Sequence, residues 1–251
     1  DDLLDSLEDP DDATREEAAK ALAQLANPTT LDALIGACGD EYWSVRTRAG
    51  WGVAKIGGPK ATEALIALFN DPIMEVRNEA VAAVVSLGVG HLDRLLVAMK
   101  DERWRVREHA AKACGDLRDA RAVDALIFAC RDRDGAVKSA AAEALGKIGD
   151  AKAIPALIKL FRDSSKIVRE TAGIALVAIG QPSVDLLLET MKDKDFVVRC
   201  HAARALGGMT TDYQIGRRWV REPRVVDALI EALKDPDRAV REDATIALGM
   251  I

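Results

Sequence analysis

Histidine and cysteine are the residue types in this 251-residue chain that could carry proton transfer, metal ligation or thiol chemistry. There are three histidines, His91, His109 and His201, and the last two occupy the same place in an internal repeat, three copies apart. Stacked helices lie about 8–10 Å from one another, so these two rings are expected roughly 25–30 Å apart, too far to share a metal ion. The cysteines, Cys38, Cys114, Cys130 and Cys200, are widely spaced and form no C-x-x-C pair, which argues against a zinc knuckle or a redox dithiol. Cys38 and Cys130 fall at equivalent apolar positions and Cys114 replaces a core leucine, so small buried hydrophobes are the expected role. No G-x-x-x-x-G-K-[ST], G-x-G-x-x-G, G-x-S-x-G or H-E-x-x-H string is present. No catalytic residue, metal or cofactor is therefore expected.

Composition sets the class of element that positions side chains. Hydrophobic residues make up 49% and charged residues 30%, normal for a well-cored chain, while aromatics supply only 4%. Alanine and leucine dominate and the prolines fall mostly between apolar stretches, which favours helices over sheet. The formal net charge of -6 gives no global attraction to nucleic acid or to an anionic membrane. No apolar run approaches a membrane span, and the first residues lack the basic region of a secretory signal, so a cytoplasmic location is expected.

The organising feature is a period. A basic residue recurs as Arg15, Arg46, Arg77, Arg107, Lys138, Arg169, Arg199 and Arg241, at steps of 31, 31, 30, 31, 31, 30 and 42 residues. The long last step marks an insertion at Thr210 to Arg221. Six residues before each of these anchors stands an aspartate, and twelve before stands a leucine followed by Ile or Leu. That pattern is the buried stripe of a short first helix. Three residues after each anchor comes alanine, and six after comes alanine or glycine, small residues that let a second helix pack closely. Asp11, Asp134, Ser165, Asp195 and Asp237 stand where second helices should begin, as N-caps, and Gly57, Gly149 and Gly180 where they should end. The recurring acid and guanidinium are expected to form a structural ladder along the inter-helix turns. The whole chain reads as one all-α solenoid domain of eight two-helix repeats.

Val137-Lys138, Ala141, Ala144-Leu145-Gly146 and Ile148-Gly149-Asp150 together resemble the HEAT repeat of the phycobilisome-lyase type, and the likeness extends over essentially the entire chain. The resemblance implies a right-handed α-solenoid, a superhelix whose second helices line the concave face. Members of that family range from adaptors to bilin lyases and one hydroxylase. The hydroxylase branch uses His-Glu pairs to hold iron, whereas the histidines here are followed by Leu92, Ala110 and Ala202.

Rotation by 100° per residue places the residues two before and two, five and nine after each anchor on the inner wall. In the first half these include Arg48, Trp51, Lys55, Arg105, His109 and Lys112, mainly basic; in the second half they include Ile167, Ile174, His201, Arg204 and Ile246, mostly apolar. Trp51 sits between Gly50 and Gly52, which weaken the helix by roughly 1 kcal/mol each, so something must compensate. It is either an anchor for a partner or a ring leaning into a neighbouring repeat. Trp43 and Trp104 are expected in the core between repeats. The insertion carries Tyr213, Arg217, Arg218 and Trp219, suited to an acidic partner or to packing on the chain itself.

The reading that follows is a non-catalytic scaffold or adaptor that binds another protein on its concave face. A bilin lyase-like or chromophore-handling enzyme is the alternative, and nucleic acid stands behind both. The apolar end at Leu248-Gly249-Met250-Ile251 leaves room for a homodimer contact or for further repeats.

Overall fold

A computed structural model gives the fold and describes residues 2–209 and 222–251. Among the described residues every regular element is helical, and no single helix is long and apolar enough to cross a membrane. Contacts cluster into two compact units, Asp1–Asp119 and Ala120–Ile251. In the first unit the short helices α1 (Asp2–Asp5), α3 (Leu31–Ala37), α5 (Pro59–Ala67) and α7 (Leu92–Ala98) alternate with the longer α2 (Asp12–Leu25), α4 (Trp43–Ile56), α6 (Met74–Ser86) and α8 (Trp104–Leu117). In the second unit α9 (Val123–Ala129), α11 (Ile154–Lys159), α13 (Val184–Thr190) and α15 (Pro223–Ala232) alternate with α10 (Gly135–Ile148), α12 (Lys166–Ile179), α14 (Phe196–Gly208) and α16 (Arg238–Met250).

The cores follow the period. Leu34, Leu65, Leu95, Leu126, Leu157, Leu187 and Leu229 of the first helices are wholly buried, and the valines preceding the anchors pack with them. Leu3, their counterpart in the four-residue α1, is exposed. Second helices approach one another through small residues. A Cβ added at Gly52 would stand 3.1 Å from the Ala23 Cβ, one at Gly146 would stand 2.9 Å from the Ala175 Cα, and one at Gly207 would stand 2.6 Å from the Ala247 Cβ. These pairs join α2 to α4, α10 to α12 and α14 to α16, so the alanine-or-glycine stripe sets the spacing between neighbours.

Caps hold the helix ends. The side chains of Asp11, Asp134, Asp195 and Asp237 accept from backbone N–H groups of α2, α10, α14 and α16, while Ser165 makes no such bond at α12. Gly149 closes α10 with φ 78° in the left-handed region.

The acid–guanidinium ladder is built in two parts. Arg46 Nη1 donates to the carbonyls of Asp40 (2.8 Å) and Glu41 (3.1 Å), tying down its own inter-helix turn. Its Nε and Nη2 reach forward to Asp71 of the next repeat at 2.6 and 2.9 Å. Arg15 does the same with Asp40, and Arg199 reaches Asp235 at 2.7 Å through both nitrogens across the insertion. Lys138 pairs with Asp163 as a point charge in place of the bidentate fork.

Candidate partner-binding walls

Side chains five and nine residues after the anchors are where the inner-wall phase holds best. Lys55, Ile174, Arg204 and Ile246 are exposed, and Trp51 and Lys112 are half-buried. Two residues after the anchor the outcome is split: Arg48 is exposed as expected, whereas His109, His201 and Asp243 are buried rather than presented to solvent. A second helix in a stack has a neighbour on either flank, so its solvent-facing arc is narrower than that of a lone amphipathic helix. At His109, His201 and Asp243 the side chain is swept under an adjacent repeat.

Both histidines are buried in the same way. His109 packs on Phe69 of the preceding repeat, ring centroids 6.1 Å apart, and its Nδ1–H donates to the Arg105 carbonyl at 2.7 Å. His201 stacks on Phe161, centroids 5.4 Å apart and 27° between planes, and its Nε2 accepts from Arg169 Nε at 3.2 Å. The ladder is rerouted at these same two junctions. Arg103 occupies Asp101, so the Nε of Arg77 stays buried without a partner. Arg162 occupies Asp193, and Arg169 turns to His201 instead. The sequence holds a signal for this: phenylalanine stands eight residues before the anchor only at Phe69 and Phe161, one repeat ahead of each histidine.

Burial is the main cause holding both imidazoles below their ordinary range, with Arg77 and Lys112 adding to it at His109 and Arg204 and Arg169 at His201. The hydrogen bond to the Arg105 carbonyl and then Glu108 oppose the shift at the first site, and Asp243 and Glu170 oppose it at the second. In the unfolded chain the rings bind protons near pH 6.5, whereas in the folded chain they resist them. Stability is therefore expected to fall as pH drops through about 6.5, before the carboxylates titrate. Denaturant titrations at successive pH values check this; a double variant, His109→Gln with His201→Gln, should lose the slope in that window.

The cations of the inner wall are largely engaged by their own chain. Arg48 Nε donates to Glu16 at 3.2 Å, and that carboxylate lies below its usual range chiefly because the Ser44 hydroxyl donates to it. Lys112 pairs with Glu108 at 2.7 Å, and the Arg105 guanidinium lies 4.9 Å from the centroid of the Trp104 ring. Trp51 leans toward α6, where its Nε1 donates to Glu79 at 2.9 Å. Gly52 beside it is what lets α4 press on Ala23 and Leu34, so close packing offsets the lost helix propensity. In contrast to the core role expected of them, Trp43 and Trp104 are exposed. They stand at the helix starts, on the rim of the turns.

In the second unit the second helices present apolar side chains. Ile167 and Ile174 of α12 are 68% and 69% exposed and Ile246 of α16 is 59% exposed. Arg204 of α14, on the helix between them, is fixed by its Nε to the buried Asp243 at 2.8 Å. Tyr213, Arg217, Arg218 and Trp219 lie outside the described residues. All four thiols are buried, and desolvation pushes each up to about 12, which leaves no reactive thiolate at neutral pH.

The sequence profile of HEAT repeats matches residues 1–85, 92–177 and 156–249. Among solved structures, Kap95p in complex with RanGDP is 16% identical with a TM-score of 0.59, over 99% of this chain and 40% of that one. Importin beta in an ammonium sulfate condition is 17% identical with a TM-score of 0.57, over 99% and 39%. The chain thus spans about two fifths of the length of these proteins, and likeness at this identity is one of fold. No curated protein matches the chain in sequence.

Proposed function

Since the chain belongs to the HEAT-repeat family, we propose that it is a non-catalytic scaffold that holds a partner protein against the exposed face of its second helices. The observation that carries this is the run of Ile167, Ile174 and Ile246, each more than half exposed, around the anchored guanidinium of Arg204. Isolated exposed apolar residues are ordinary, but branched aliphatics recurring on one wall are costly to leave in water and mark a contact face. Kap95p, similar in fold, binds RanGDP. The positions resembling the phycobilisome-lyase repeat, Val137, Ala141, Ala144, Leu145 and Gly146, are buried scaffold, so that likeness brings no bilin chemistry to the exposed wall.

Affinity purification from the native host with the wild-type chain and with Ile174→Asp combined with Ile246→Asp tests the proposal. Loss of two apolar contacts at the centre of an interface is expected to weaken a specific partner by roughly 30-fold or more. Phe128→Ser, on the exposed side of the first helix α9, should leave recovery unchanged. Equal recovery of the same proteins by all three forms would contradict the scaffold reading.

A further inference from the structure

The first unit carries a groove unlike anything on the second-helix wall. It is open, about 650 Å³ in volume, and runs between the turn that precedes α4 and the turn that precedes α6. Tyr42, Trp43 and Ile73 line it, 40%, 42% and 36% exposed. Its charged lining is Asp40, Glu41, Asp71 and Arg46. Arg46 is fully committed to Asp71 and to two turn carbonyls, and Asp40 is held by Arg15. Glu41 is what remains. Its side chain is 89% exposed and its single ion pair is a 3.4 Å approach to an Arg15 nitrogen that already binds Asp40. The surroundings reinforce the sign, because residues 1–119 hold 22 Asp and Glu against 14 Lys and Arg, a net of -8.

The chain itself shows what such a tryptophan attracts. Trp104 stands at the same register as Trp43, three residues before its anchor, and carries the Arg105 guanidinium over its ring at 4.9 Å. At Trp43 the next residue is Ser44, whose hydroxyl is turned to Glu16, and no described cation lies over that ring. An exposed indole beside an exposed carboxylate with only a long, shared ion pair is a site for an ammonium or guanidinium group, attracted by the ring quadrupole and by charge together.

We propose that this groove binds a basic segment of a partner protein, with a Lys or Arg side chain over Trp43 and reaching Glu41, and an adjacent apolar side chain against Tyr42 and Ile73. The surface is separate from the second-helix wall and does not depend on it. The corresponding groove of the second unit, about 310 Å³, has the opposite character: Arg131, Lys138, Lys159 and Arg162 line it with Asp132 and Asp163, and no aromatic is present. One chain therefore holds a receptive groove and a repelling one at equivalent places in its repeat.

Calorimetry of the full chain with the synthetic peptide Ac-KLKKLK-NH2 and its acidic counterpart Ac-ELEELE-NH2, in about 50 mM salt to limit screening, tests this. The basic peptide is expected to bind and the acidic one not. Trp43→Ala and Glu41→Lys, both at exposed positions, should each weaken binding by about tenfold or more, Trp43→Phe should retain most of it, and Ile174→Asp should leave it unchanged. Ac-KGKKGK-NH2, lacking the apolar side chains, should bind more weakly. The proposal is overturned if the basic peptide shows no binding up to about 2 mM, or if Trp43→Ala and Glu41→Lys bind it as the wild type does.

Discussion

Replacing Asp71 with alanine is expected to cost about 3–5 kcal/mol of stability, among the largest losses any single side chain in the first unit would produce. Asp71 and Arg46 are both about nine-tenths buried and joined by two hydrogen bonds, at 2.6 and 2.9 Å. Asp71 also accepts from the Ile73 amide at 2.8 Å and so shapes the turn before α6. Its removal leaves a guanidinium desolvated and unpaired, which costs far more than the pair contributes net. Two comparisons isolate that cause. Asp193→Ala should cost only about 1–2 kcal/mol, because its partner Arg162 is 46% exposed and a surface pair plus one turn hydrogen bond is all that is lost. The double variant Arg46→Met with Asp71→Leu should recover most of the loss, since an apolar pair of similar size needs no counter-charge. Urea titrations followed by far-UV circular dichroism measure all three.

Phe161→Ala is the second large effect, at about 3–5 kcal/mol. Phe161 is wholly buried in the second unit and its ring is the floor on which His201 stacks. Truncation removes that floor and opens a void against α12 and α14, so the cost joins lost apolar burial to an unfilled cavity. It should also change titration. With water admitted beside the imidazole, the desolvation that holds His201 low is relieved, and its pKa should rise toward the usual value. Phe161→Leu, which keeps most of the volume, should cost less than about 1.5 kcal/mol and move the titration little. Denaturation gives the first quantity and ring-proton NMR against pH gives the second; a large loss of stability with an unmoved His201 titration would refute the link between the two.

Much of the scaffold was legible because it repeats. The anchors, the aspartates six before them and the leucines twelve before them each bear on a local rule, capping, turn formation or helix amphipathicity, and those rules act within one repeat. Ladder direction was less visible, since spacing alone does not say whether Arg46 turns back to Asp40 or forward to Asp71. It does both, through carbonyls and carboxylate respectively. Positions decided by a neighbour were the ones misread. His109 and His201 were placed on the wall by the rotation of one helix, yet the large ring of Phe69 or Phe161 from the preceding repeat lies against each and draws it inside. Trp43 and Trp104 erred the other way, because the rim of the turns is left open where the apolar pattern suggested cover. Ile174, Ile246 and Arg204, five residues past their anchors, were read correctly as exposed, although Arg204 and Trp51 at that register still reach a carboxylate of the next second helix.

The proposed binding wall is tested most directly by photo-crosslinking from single sites. A benzophenone amino acid in place of Ile174 or Ile246 should trap one and the same partner protein in native extract, while the same group in place of Phe128, equally exposed but on the first helix α9, should trap none of it. Crosslinking of that partner from position 128 with none from 174 or 246 would contradict the assignment of the second-helix wall as the binding face.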